Sequence, residues 1–326
     1  MNNRCMGCGA ILQFVAKEKI GYIPKEKRTE KLCERCFRIL HYNDLKMIDL
    51  PTEDIINNVN KKRSYAFFLV DLLNINREVI DTFKKITLPK TLIVSKIDYI
   101  PKYVHKEKIK VWLEEEYGIQ DEIIFLSAVK NVNISAIQNT LSRNNKKSGY
   151  LLGFTNSGKS TLVNRLKEDS NITTSMVPNT TIDYIKIPIE EGYSLMDSPG
   201  FQYKNAIYEK KGVSFIKKMS PKTFLKPITY QLKKGASIIL EDILRIENVS
   251  DKCNITLYVS NLLTIKKVYE KNEVLKDFSC LEKELKKNED IVIKGLGFFN
   301  VKSNCKLNIY IEKEDLVEIR NSFFER

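Results

Sequence analysis

From about residue 50 onward, short and nearly unbroken apolar runs alternate with charged segments of helical period. The runs are residues 66–71 (AFFLVD), 91–95 (TLIVS), 123–127 (IIFLS), 150–152 (YLL), 185–189 (IKIPI) and 193–197 (YSLMD). Strands that are apolar on both faces need cover on both faces. The pattern therefore predicts a mostly parallel sheet between helices, an α/β nucleotide-binding layout. Helical spacing fits Lys106–Tyr117, where Val111, Trp112 and Leu113 are placed to cover the sheet, and residues 134–141. From residue 238 the texture changes to strand-like runs at 255–259 and 307–311 with a charged helix at about 281–287, which predicts an α+β C-terminal domain without a catalytic constellation. The expected division is a small module at 1–48, an α/β domain at 49–205 and the C-terminal domain at 206–326.

The run at 150–152 leads into Gly153-Phe154-Thr155-Asn156-Ser157-Gly158-Lys159-Ser160, a G-x-x-x-x-G-K-[ST] string, and a helical stretch follows to Leu166. A strand before it and a helix after it are the setting of a phosphate-binding loop. Gly153 and Gly158 allow a tight turn whose N–H groups face a polyphosphate, and the helix N-terminus adds partial positive charge. The candidate phosphate-binding residues are thus Gly153, Asn156, Ser157, Gly158, Lys159, Ser160 and Thr161. Lys159 would reach the β- and γ-phosphates and the Ser160 hydroxyl would ligate Mg²⁺. Downstream, Asp197-Ser198-Pro199-Gly200 matches D-x-x-G: the carboxylate would hold Mg²⁺ through water, and the Gly200 N–H would meet the γ-phosphate. Between the two lies Pro178-Asn179-Thr180-Thr181-Ile182-Asp183, from which Thr181 is expected to close over Mg²⁺, with Thr180 as the alternative.

Composition narrows the class. The 326 residues, 43% of them hydrophobic, suffice for two or three domains with real cores. No apolar run approaches the length of a membrane span and the first residues do not open a signal peptide, so the cytoplasm is the expected compartment and no membrane partner is expected. A net charge of +13 points to a polyanionic partner or to a lysine-rich solvated surface. With only two histidines, His41 and His105, a His-dependent triad or a His-rich metal site is disfavoured. Cys5-Met6-Gly7-Cys8 and Cys33-Glu34-Arg35-Cys36 are two C-x-x-C pairs, and Cys5, Cys8, Cys33 and Cys36 together complete a tetrahedral zinc shell. With all four positions taken by protein this zinc would be structural, and it would supply much of the folding energy of a module too short for its own core. The basic residues around it suit nucleic acid or protein docking. Cys253, Cys280 and Cys305 read as ordinary buried residues.

Two strings precede the phosphate loop, each at the C-terminal end of a predicted strand, where such sheets bind ligands. Ser95-Lys96-Ile97-Asp98 resembles the N-K-x-D element of GTPases, whose carboxylate accepts two hydrogen bonds from the guanine edge. Ser127-Ala128-Val129-Lys130 resembles the S-A-K element that contacts guanine O6. In ordinary GTPases both elements follow the phosphate loop. With the C-x-x-C pairs, the order found here is similar to that of YqeH-type circularly permuted GTPases, a bacterial family associated with assembly of the small ribosomal subunit. The resemblance extends to residues 21–24 (GYIP), 225–232 (LKPITYQL) and 293–299 (IKGLGFF). It implies that the chain binds and hydrolyses GTP, with ribosomal RNA or a precursor of the small (30S) subunit as partner. The guanine-binding residues it implies are Ser95, Lys96, Asp98, Ser127, Ala128 and Lys130. Ser95 stands where the family has Asn, and Asn179 where it has Gly.

Phe201 occupies the position at which Ras-like enzymes place the water-orienting glutamine, so intrinsic hydrolysis is expected to be slow. Resemblance to potassium-dependent GTPases implies that Asn156 coordinates a K⁺ ion that neutralises phosphate charge. The catalytic candidates are accordingly Lys159, Asn156, Thr181 and Gly200. Lysines between 204 and 234, interleaved with Phe215, Phe224 and Tyr230, form either an RNA-facing surface or a solvated face. A guanine-nucleotide-dependent protein adaptor with little turnover is the alternative function.

Overall fold

The computed structural model describes residues 5, 11–15, 21–24, 31–34, 51–99, 104–170, 175–176, 184–204, 207, 215, 218–219, 225–269, 275 and 278–324. The chain divides into two compact units, the first made of residues 1–69, 85–93 and 126–201 and the second of residues 70–84, 94–125 and 202–326.

Strands β1 (Tyr65–Asp71), β2 (Lys90–Ser95), β3 (Glu122–Phe125), β4 (Ser148–Gly153), β5 (Ser175–Met176), β6 (Ile185–Pro188) and β7 (Ser194–Asp197) form one sheet in the order β3-β2-β1-β4-β7-β6-β5. β4 runs parallel to β1 and β7, whereas β6 and β5 add on antiparallel, so the sheet is mixed with a parallel centre. Every residue of β1 is buried, as its unbroken apolar run requires. Among the described residues the helices that can be bounded are α1 (Thr52–Asn60), α2 (Arg77–Lys84), α3 (Lys106–Tyr117), α4 (Ala136–Arg143) and α5 (Lys159–Ser170). α3 buries Ile109, Trp112, Leu113 and Tyr117, a stripe at i, i+3, i+4 and i+8. Val111, expected on that face, is turned to solvent instead. The helix stops at Gly118, whose φ of +66° suits glycine and whose N–H caps the Glu114 carbonyl.

The C-terminal part of the second unit departs from the expected α+β mixture. Its strands are β8 (Ile228–Lys233), β9 (Ser237–Leu240), β10 (Leu244–Asn248), β11 (Lys252–Val259), β12 (Ile265–Val268), β13 (Ser279–Leu285), β14 (Glu289–Ile293), β15 (Gly297–Val301), β16 (Cys305–Ile311) and β17 (Val317–Asn321). They form two five-stranded antiparallel sheets, β12-β9-β10-β16-β13 and β17-β14-β15-β11-β8. The charged helix expected at 281–287 is the edge strand β13: Leu281, Lys283 and Leu285 lie opposite Ile309, Leu307 and Cys305, while Cys280, Glu282 and Glu284 are exposed. Its period is two, and an edge strand tolerates charge on its open face. Cys280 is therefore not buried as expected; Cys253 and Cys305 are, with their sulfurs 2.9 Å apart.

Within the second unit the last strand is fastened to α2 and α3. Glu318 accepts the Arg77 N–H at the start of α2 at 2.8 Å and the Tyr117 hydroxyl at 3.1 Å. The Trp112 indole donates to the Asn321 carbonyl at 2.9 Å. Arg320, 2% exposed, pairs with the fully buried Asp290 at 3.4 Å, donates to the Ile75 carbonyl and lies 4.8 Å over the Trp112 ring. Among the described residues no helix is long and apolar enough to cross a membrane.

Candidate functional site: a phosphate loop and a guanine-type turn

In the first unit β4 ends at Gly153 and α5 begins at Lys159, so the glycine-bounded string is the loop between strand and helix. A Cβ at Gly153 would stand 2.7 Å from both the Leu69 carbonyl and the Ser157 hydroxyl, so only glycine fits. Asn156 (φ +66°) and Gly158 (φ +93°) are left-handed, which curls the loop, and the Ser157 N–H closes a turn onto the Phe154 carbonyl at 3.0 Å. Lys159 is 6% exposed. Its ammonium lies 2.7 Å from an Asp197 carboxylate oxygen and donates to the Ser198 carbonyl. The phosphate-loop lysine and the D-x-x-G aspartate thus meet, at the ends of the adjacent parallel strands β4 and β7. Ser160 is partly exposed at the second position of α5, and its hydroxyl with the Asp197 carboxylate is a hard-oxygen donor pair of the kind that suits Mg²⁺.

The segment leaving D-x-x-G is tied back to the same loop. Phe201 donates its N–H to the Gly153 carbonyl at 3.0 Å, and its carbonyl accepts from the Thr155 N–H at 2.8 Å. Gly200 sits over Thr155, with room for a Cβ at ordinary contact distance. The Phe201 side chain turns inward, fully buried, 5.7 Å from the Phe68 ring and 5.6 Å from Phe154. This explains why the water-orienting position is apolar: the side chain belongs to the core. Phe201→Gln is expected to leave the hydrolysis rate no higher and to destabilise the protein by about 3–5 kcal/mol, readable by turnover and urea unfolding.

In the second unit β2 ends at Ser95, and Lys96 to Tyr99 form a tight turn closed by the Tyr99 N–H on the Lys96 carbonyl at 3.0 Å. The Ser95 hydroxyl donates to the Val70 carbonyl at 3.2 Å, and Lys96 pairs with Asp71 at 2.8 Å. Asp98 is half-buried on this turn. Burial, with the Asp71 and Asp98 charges adding to it, pushes the Tyr99 hydroxyl above the usual phenol range. The second recognition string, in the first unit, is also a turn: Ser127 pairs with Val132 through both backbone groups, and its side chain accepts the Lys130 N–H at 3.1 Å, leaving Ala128 half-exposed and Lys130 exposed.

Of the zinc candidates, Cys5 and Cys33 are both buried, and the Cys33 N–H points at the Cys5 sulfur at 3.1 Å. Backbone donors stabilise thiolates in this way, so the pair fits a sulfur-ligated zinc. Cys8, Cys36, Thr180 and Thr181 lie outside the described residues. Sequence reasoning assigned no role to Asp71, although an acid ending an apolar strand just before Asn74 and Asn76 is a visible signal.

A glycine-bounded loop holding its lysine against the D-x-x-G carboxylate, preceded in the chain by N-K-x-D-like and S-A-K-like turns, defines a P-loop GTPase of permuted order. Residues 70–206 match the RsgA GTPase family, and residues 149–289 match the family described as 50S ribosome-binding GTPase. YqeH of Bacillus subtilis (strain 168) is 31% identical, over 98% of this chain and 98% of that protein. Nitric oxide-associated protein 1 of Mus musculus is 24% identical over 57% of this chain, which spans 36% of that protein. YjeQ from Thermotoga maritima overlays with a TM-score of 0.32 at 21% identity, covering 43% of this chain and 49% of that one. The chain belongs to the YqeH family of circularly permuted GTPases, and it hydrolyses GTP.

Proposed function

We propose that the protein is a GTP-driven switch in assembly of the small ribosomal subunit, engaging ribosomal RNA or a pre-ribosomal particle in one nucleotide state and leaving after hydrolysis in the cytoplasm. Asp98, with Ser95, Lys96, Ser127, Ala128 and Lys130, serves the guanine. Lys159, Asn156, Thr181 and Gly200 serve the γ-phosphate. Ser160, Thr181 and Asp197 hold Mg²⁺, Asn156 a K⁺ ion, and Cys5, Cys8, Cys33 and Cys36 a structural zinc. In this reading residues 1–48 and 206–326 are partner-binding modules on either side of the GTPase domain at 49–205.

The observation that carries the reading is the hydrogen-bonded tie of Phe201 to Gly153 and Thr155. The segment that senses the γ-phosphate runs directly into the chain that builds the C-terminal sheets, so a change there is passed on covalently. Lys226, Lys233 and Lys234 are exposed near or on the edge strand β8, which suits a phosphate backbone; Phe215 is buried and belongs to packing, while Phe224 lies outside the described residues. The description of one matched family names the large subunit, and says so of that family; the small-subunit assignment rests on the YqeH-type resemblance. Turnover is expected to be higher in KCl than in NaCl at equal ionic strength, and to rise further with small-subunit particles. Equal rates in the two salts would remove Asn156 from catalysis. An absence of any stimulation by particles would favour the low-turnover adaptor.

A further inference from the structure

The turn that carries Asp98 is held by the end of β1, and this feature of the second unit is not part of the four-residue string that signals guanine recognition. Asp71 is the last residue of β1 and is 5% exposed. One carboxylate oxygen accepts the Leu73 N–H at 2.9 Å; the other accepts the Asn74 amide at 3.0 Å and the Lys96 ammonium at 2.8 Å. These bonds fix the carboxylate from its own strand end and leave it aimed at Lys96. Lys96 in turn sits at φ +59°, a conformation that residues other than Gly, Asn and Asp rarely adopt. Its side chain crosses its own turn, with the ammonium 5.8 Å over the Tyr99 ring on the way to Asp71. The neighbouring Ser95, too short to act as an asparagine would, bonds the Val70 carbonyl. The entry to the turn is therefore anchored to two consecutive residues of β1.

We propose that Asp71 is a positioning residue for guanine recognition: through Lys96 it holds that residue's left-handed backbone, and with it the 97–99 turn that presents Asp98 to the base. The inference rests on the reading of Asp98 as the guanine acceptor. It makes β1 the anchor of base recognition and accounts for a serine being tolerated at position 95. Lys96 acts here as the link between the two carboxylates, and removing either end of the pair frees the same turn.

The test is nucleotide binding to the full-length protein, comparing GDP with IDP, which lacks the exocyclic amino group that Asp98 would sense. Asp71→Asn is expected to weaken GDP binding about tenfold and to shrink the GDP-to-IDP preference, while turnover at saturating GTP changes little. Lys96→Met is expected to shrink the same preference, and the double variant to be no worse than Lys96→Met alone, because the two residues act as one unit. If Asp71→Asn fails to fold, Asp71→Ser, which keeps an acceptor for the Leu73 N–H but no charge for Lys96, decides by the same ratio. A lower melting temperature with an unchanged GDP-to-IDP ratio would make Asp71 purely structural and overturn the proposal. Asp98→Asn, assayed with XDP, separates the two levels. If it gains no affinity for xanthine, the reading of Asp98 itself falls. If it does gain it while the Asp71 and Lys96 variants keep the wild-type ratio, the positioning role alone falls.

Discussion

Lys159→Ala is expected to reduce GTP turnover by about 10²- to 10³-fold, since one preorganised donor to the transferring phosphoryl group is lost. The structure adds a second effect. In this structure the ammonium is buried against Asp197 at 2.7 Å, with side-chain exposures of 6% and 9%. Removing it leaves the carboxylate buried without that cation, at a cost of about 3–5 kcal/mol. The nucleotide-free variant should accordingly melt well below the wild type. Lys159→Ala/Asp197→Asn should recover much of the melting temperature and none of the turnover, which separates chemistry from folding. Wild-type turnover in Lys159→Ala would contradict the assignment of this lysine to the phosphates.

Arg320→Met is expected to destabilise the second unit by about 3–5 kcal/mol near neutral pH, because the fully buried Asp290 loses its cation and must either stay ionised without it or take up a proton. Burial already pushes the Asp290 carboxyl above its ordinary value, with Arg320 and the Asn300 amide pulling the other way. Without Arg320 the folded state keeps a proton that the unfolded chain releases. Stability of the variant should then fall as pH rises from the ordinary carboxylate value of about 3.9 through the raised folded value, and be regained on acidification. Trp112, the sole tryptophan of the chain, lies under the guanidinium, so its emission reports the loss directly. Arg320→Met/Asp290→Leu should restore most of the stability; unchanged urea midpoints in the single variant would show that the pair holds nothing.

The parts of the fold that were legible in the sequence were those written in a single period. The apolar runs gave β1, β2, β4 and β7 to within a few residues, and Lys106–Tyr117 is a helix with the expected ends. Motif spacing likewise placed Gly153 and Lys159 at the two ends of one strand–loop–helix turn, where the chemistry fixes their separation, and Asp197 at the end of the separate strand β7. The failures have physical causes. β13 carries charges at Glu282, Lys283 and Glu284 and is followed by Lys286 and Lys287, which resembles a solvated helix unless the partner strand β16 is known. The partners of Ser95 and Lys96 are on β1, some 25 residues away, and that distance is set by sheet order, which no local pattern encodes. The inward turn of Phe201 depends on Phe68 of β1 and Phe154 at the start of the phosphate loop, which are far apart in the chain. Arg320 counts as surface charge in the sequence; only its packing against Trp112, Phe298 and Phe323 makes it a core residue.

The central claim is that a carboxylate encoded before the phosphate loop reads a guanine. Calorimetric titration of the full-length protein with GDP and with ADP, in Mg²⁺ and K⁺, tests it most directly. The account predicts that GDP binds about a hundredfold or more tighter than ADP, because adenine lacks the pair of donors that the Asp98 carboxylate accepts. Equal affinity for the two nucleotides would contradict it.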